Sequence, residues 1–253
     1  MNCNLSNNNI TFGAGVTHLI RKEIVSANPY EIERVIKKNF GTECDFENNR
    51  TLAAGTLYAL NILREAAEKF KLPFNIVPPK IKVYNPNEIV KQENVKFGFC
   101  IINPEKVMRK EPEYPSRSIF IKSRPDNLTT WDRQVDEWYG EHITSSDNFL
   151  APFLHELIHN IHINLIFKKS PQYADRNVIL LGNTSFDYRQ NKIISEKIGT
   201  YARTSKIELF AEAFAKMITD SVDKSGIKLA SNPLDRLPDF PKFVREFIES
   251  QIN

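Results

Sequence analysis

Apolar residues recur along this chain with two periods, and the changes of period mark its elements. From about Asn28 to Phe40 the spacing is helical, with Asn28-Pro29 as cap and first-turn proline and Gly41 as the stop. A longer helix is expected from about Asn49 to Leu72, rich in Ala and Leu and ended by Pro73. After Pro78-Pro79 the period shortens. Lys80–Tyr84 alternates polar and apolar side chains, and Val95–Ile102 and Arg117–Lys122 are further strand-like runs, each stopping at or near a proline. The segment from Arg124 to Asn148 is less regular, and its Trp131, Trp138, Tyr139 and His142 are expected to pack over the core, with a cleft-lining role as the alternative.

Helical spacing then returns. An apolar helix is expected from about Ala151 to Phe167, capped by Ser146 or Asp147 and ended by Lys168-Lys169-Ser170-Pro171. A mixed segment leads to Thr200, a second strongly patterned helix runs from about Thr204 to Val222, and Pro241 to Gln251 forms a final amphipathic helix. The Asn-rich residues 1–12 predict a loose tail. The pattern as a whole predicts an α+β fold in one domain, 13–253, with a helical part over 13–79 and the sheet and remaining helices over 80–253.

Composition narrows the classes. At 253 residues the chain can bury a real core, and 41% hydrophobic with 26% charged residues is ordinary for a globular protein. A net charge of +3, with basic residues dispersed among acidic ones, argues against a nucleic-acid partner. Cys3, Cys44 and Cys100 are far apart and in no C-x-x-C pair, so each is expected to be a small buried or half-buried thiol. The first residues lack the charged and apolar regions of a signal peptide, and no run is long and apolar enough to predict a membrane span.

The chemistry is concentrated in Phe153-Leu154-His155-Glu156-Leu157-Ile158-His159. Residues four apart share a helix face, so His155 and His159 can present two imidazoles to one metal ion. Glu156 then stands where it can take a proton from a water that the metal activates, the arrangement of a zinc hydrolase. Two imidazoles leave a catalytic zinc site one protein ligand short. His162 lies near the same face but almost a turn beyond His159, and no glycine lets the chain fold back, so His162 is assigned a structural or cleft-wall role.

The better candidate lies downstream. Ile207, Phe210, Ala211, Phe214 and Ile218 make a core stripe, with Glu208 and Glu212 together along its edge. Carboxylates at the border of a buried face need partners, and a metal and a metal-bound His would supply them. A plainer explanation exists for both: Ser205-x-x-Glu208 spells a capping box, and Glu212-x-x-x-Lys216 an exposed ion pair. The upstream motif tips the choice, and Glu208 is taken as the third ligand.

His155-Glu156-x-x-His159, Tyr201, and Glu208-Leu-Phe-Ala-Glu212 together resemble the gluzincin metallopeptidases of the anthrax lethal factor type, which include the secreted clostridial Pro-Pro endopeptidases. In that family a Tyr precedes the Glu ligand by seven residues and a second Glu follows it by four, as Tyr201 and Glu212 do here. The likeness covers roughly Lys80 to Val222 in element order, and its specific part is the two motif segments. It implies a zincin-like fold in which a small twisted sheet packs on the HExxH helix and a second Glu-bearing helix, the sheet edge binding substrate as an added strand. It implies a zinc endopeptidase holding one zinc per chain on His155, His159 and Glu208 and acting on a protein or peptide. Glu156 would be the general base, Tyr201 the hydrogen-bond donor to the oxyanion, and Glu212 a support for a ligand imidazole. A bacterial toxin or effector domain is the setting the likeness implies. The lethal factor's other domains and a signal peptide are not seen in the sequence. The rival expectation is a zincin-like module that keeps the motif but serves binding or structure in a phage or toxin assembly.

Overall fold

A computed structural model describes residues 26–73, 77–84, 97–100, 117–122, 126–223 and 226–253, and the tail expected over 1–12 lies outside them. The first helix, α1 (Pro29–Phe40), begins where Asn28 Oδ1 accepts from the Tyr30 N–H at 3.1 Å. It ends at Gly41, whose φ of 75° is the left-handed conformation that glycine adopts without strain. The long helix α2 (Arg50–Phe70) is capped by Asn49 and buries Leu52, Ala59, Leu60 and Leu63. It stops at Lys71, two residues before the expected proline.

The described residues include four short strands, β1 (Glu43–Asp45) between the two helices and, after α2, β2 (Lys80–Val83), β3 (Gly98–Cys100) and β4 (Ile119–Ile121). They form one sheet in the order β1-β2-β4-β3, with β1, β2 and β4 parallel and β3 antiparallel on the outer edge of β4. Three of them fall inside the expected runs. Within the Val95–Ile102 run, 95–96 and 101–102 lie outside the described residues. β1 was not anticipated: Glu43-Cys44-Asp45 is too short and polar to signal a strand, and pairing with β2 makes it one.

The irregular stretch of the sequence holds a helix, α3 (Leu128–Gly140), capped by Asn127. Its buried stripe is Trp131, Val135 and Trp138, a helical spacing that the intervening charged residues obscure. The central helix α4 (Ala151–Lys169) starts later than the expected Ser146 or Asp147 cap. Leu150 occupies the cap position and makes no side-chain cap bond, while Pro152 sits in the first turn. Every side chain of α4 from Ala151 to Ile163 is buried, which explains its apolar character all round.

A short 3₁₀ turn (Pro171–Tyr173) leads into two helices where a mixed segment was expected, α5 (Ala174–Asn183) and α6 (Tyr188–Lys197). Their weak signal has a cause: α5 buries only Ala174 and Val178 and α6 only Ile194, so neither shows a wide apolar stripe. Local chemistry starts α6, through a capping box between Asp187 and Gln190. Helix α7 (Lys206–Thr219) follows the Ser205 cap, and α8 (Lys242–Ile252) ends the chain.

α4 lies at the centre. The sheet packs on it through β3 and β4, α2 crosses it, and α7 shares with it the most extensive contact among the described elements. The α2 crossing is close: a Cβ on Gly55 would fall 2.3 Å from Phe153 Cζ. The helix-rich α+β architecture agrees with the expected class, with α7 docked on α4 rather than directly on the sheet. Among the described residues no helix is long and apolar enough to cross a membrane.

Candidate metal centre

The packing of α7 on α4 brings residues 49 apart in sequence into contact. His155 and His159 stand a turn apart on α4, rings edge to face with centroids 4.5 Å apart and Nε2 atoms 2.9 Å apart. Glu208, in the first turn of α7, places Oε2 3.1 Å from His155 Nε2 and 3.0 Å from His159 Nε2. Ligands bound to a tetrahedral zinc at about 2.0–2.1 Å stand roughly 3.3 Å apart, so these separations suit one ion to within a few tenths of an ångström. These three residues form a group able to hold a metal ion.

The electrostatics favour a cation. His155 is bracketed by carboxylates, with Nε2 against Glu208 and Nδ1 2.8 Å from Glu212 Oε1. Burial alone would lower its pKa, but Glu208 and Glu212 outweigh burial and hold it well above the usual range. Burial would likewise raise Glu208; the two imidazoles overcome that and pull it below the usual carboxylate range. Buried carboxylates with two imidazoles need positive charge among them, and a divalent ion is one source of it.

Glu212 is buried, and it is held from the far side. Its Oε2 accepts from the Ser145 N–H at 2.8 Å, and Ser145 Oγ donates to the Glu212 carbonyl at 2.9 Å. The ion pair spelled by Glu212 and Lys216 is not the one made: Lys216 pairs with Asp220 at 3.0 Å. The capping role of Ser205 toward Glu208 is real, its Oγ accepting from the Glu208 N–H at 3.2 Å, and it leaves the Glu208 carboxylate free to face the imidazoles. Ser145 carried no signal in the sequence, because its partner lies 67 residues away.

Glu156, one residue on from His155, borders an open cleft. Phe97 and Gly98 beside the sheet edge, Trp138 and Ile143 after it in the chain, and Tyr201 also line this cleft. Glu156 is buried, and burial first of all raises its carboxyl above the usual range; the neighbouring histidines pull the other way. A Cβ at position 98 would fall 2.7 Å from the Phe120 carbonyl oxygen and 3.2 Å from Glu156 Cγ, so the edge strand approaches Glu156 this closely because residue 98 is glycine. Tyr201 is half-buried with its ring 5.6 Å from that of His155. Burial, reinforced by Glu208, Glu156 and Glu212, raises its hydroxyl so that it stays a donor. The loop carrying Tyr201 is fastened to the cleft wall where the Thr200 N–H and Oγ1 donate to the His142 carbonyl at 2.5 and 2.9 Å.

His162 stands elsewhere. It is fully buried, stacked on Phe210 with centroids 3.9 Å apart, and its Nε2 is 3.1 Å from Gln251 Oε1 of α8. Burial pushes its pKa down to about 3. The aromatics of the 124–148 segment divide: Trp131 packs against Phe97 and Phe153 and donates from Nε1 to the Phe149 carbonyl at 3.1 Å, whereas Trp138 is buried and also faces the cleft. Cys44 is a half-buried free thiol.

No protein-family model matches the chain, and no curated protein does. A solved structure of a candidate zinc-binding metallo-peptidase from Bacteroides caccae superimposes with a TM-score of 0.31 at 13% identity, over 89% of this chain and 93% of that one. A TM-score that low carries no argument. The candidate site rests on the geometry of His155, His159 and Glu208.

Proposed function

We propose that this chain is a zinc-dependent endopeptidase of the gluzincin kind, resembling the lethal factor group. The observation that carries the reading is Glu208, delivered by a separate helix to within 3.1 Å of His155 Nε2 and 3.0 Å of His159 Nε2, beside a cleft that Glu156 lines. His155, His159 and Glu208 would hold one zinc per chain. Zinc so held supplies a Lewis acid that makes water nucleophilic near neutral pH and polarises a carbonyl.

The chain's own residues do the rest. Glu156, whose carboxyl is raised above the usual range by burial, accepts the proton of the attacking water and passes it to the leaving amine. Tyr201, kept protonated by its surroundings, donates a hydrogen bond to the substrate oxygen as negative charge develops there. Glu212, between His155 Nδ1 and the Ser145 N–H, sets the tautomer and orientation of that imidazole. Gly98 puts the edge strand β3 beside the cleft, where an extended peptide can align with it.

The test is turnover of a peptide library by the zinc-loaded chain and by Glu156→Ala. Cleavage by the wild type and its loss in a folded, zinc-binding variant are expected. Full activity in the variant would sink the mechanism, and no cleavage by the zinc-loaded wild type would leave a module that binds without cutting.

A further inference from the structure

Glu156 borders a second, smaller space between the sheet, α2 and α4. Its walls are hydrocarbon from Ile81, Ile119, Ile121, Phe153 and Leu157, with two exceptions, Thr56 of α2 and Glu156 itself. Thr56 is 2% exposed and Glu156 5%, and each carries an oxygen, Thr56 Oγ1 and Glu156 Oε2, that has no hydrogen-bond partner among the described residues. A threonine inside a helix commonly turns its hydroxyl to the carbonyl one turn back, and Thr56 does not. Native interiors rarely leave such atoms unmatched, and two of them on one otherwise apolar space are what a buried water requires. The room open to a water-sized sphere is about 10 Å³, close to what one ordered water needs and too little for a second.

We propose that an ordered water bridges Thr56 Oγ1 and Glu156 Oε2, making Thr56 a positioning residue for the Glu156 carboxylate. The proposal rests on Glu156 being the proton acceptor of the reaction above. A glutamate side chain gives up considerable rotamer freedom when held in one pose. On one side Gly98 closes in on its Cγ and Cδ; the water would hold an oxygen on the other. Thr56 lies 100 residues upstream in the helical N-terminal part, which thereby serves the active site as well as the core.

Two variants and one structure test this. Thr56→Val keeps the shape and removes the hydroxyl; Thr56→Ser keeps the hydroxyl. The expected result is kcat lower by roughly 10-fold in Thr56→Val with KM unchanged, and near wild type in Thr56→Ser. A merely structural Thr56 would behave oppositely, since replacing an unbonded buried hydroxyl by a methyl leaves kcat alone and raises Tm. High-resolution crystal structures are expected to show a water within hydrogen-bond distance of both oxygens in the wild type and none in Thr56→Val. Wild-type kcat in Thr56→Val, or no water at that place, overturns the proposal. If the wild type cleaves no peptide, the peptidase reading fails, while the electron density still decides the bridge.

Discussion

Acid should unfold this protein in part through His162. The ring is fully buried on Phe210, its Nε2 faces Gln251 Oε1, and its Nδ1 has no partner among the described residues, so a second ring proton would be both desolvated and unbonded. Burial therefore lowers its pKa from 6.5 to about 3, with the charges of His159 and Lys169 adding to the effect and Gln251 opposing it. The native state keeps the ring neutral where the unfolded chain takes up a proton. Stability is full above pH 6.5, falls as pH drops toward 3, and loses nothing further below that. The loss is about 2 kcal/mol at pH 5 and approaches roughly 5 kcal/mol below pH 3, a large share of a typical folding free energy. Urea unfolding of wild type and His162→Leu at pH 7.5 and pH 5, with chelator in excess so that metal release does not contribute, isolates this effect. The variant is expected to be less stable than wild type at pH 7.5 but to lose about 2 kcal/mol less on acidification. Equal losses in the two proteins would refute the reasoning.

Replacing Glu208 by Gln removes the charged ligand but keeps its shape, and zinc affinity measured by chelator competition should fall at least about 100-fold; an unchanged affinity removes Glu208 from the site. Glu212→Gln disturbs the contact with His155 Nδ1 while keeping a side chain that Ser145 can bond, and should weaken zinc binding by about 10- to 100-fold with unfolding little changed. Wild-type affinity in that variant would leave Glu212 a packing residue. Phe153→Ala opens a hole where α2, α4 and the sheet meet, against Gly55, Phe97 and Trp131, and should cost about 3–5 kcal/mol in urea unfolding. A loss under about 1 kcal/mol would mean that the close crossing at Gly55 is not maintained in solution.

What could be read along the chain is what short-range physics decides. Asn28 and Gly41 bound α1, Asn49 starts α2 and Ser205 starts α7, because caps act over three or four residues. The four-residue step from His155 to His159 put two imidazoles on one helix face, and the seven-residue step to His162 carried that ring too far along α4 to join them. Other elements carry only thin local signals. α6 buries one side chain, β1 exists through its pairing with β2, and the tryptophan stripe of α3 was hidden among charges.

The site itself required the tertiary structure. Glu208 had two consistent explanations in the sequence, a cap partner and a ligand, and it does the first with its backbone N–H while its carboxylate faces the imidazoles. Only the docking of α7 on α4 could show that, since a contact across 49 residues leaves no periodicity to read. Ser145 under Glu212, Gly98 against Glu156 and Thr56 at the second cavity are ordinary residues until folding sets them beside a carboxylate. The sequence by itself determined which groups could do metal chemistry, because residue type and helical step are local. Packing decided which of them meet and how each charge is held, because burial and proximity arise only when distant segments close on one another.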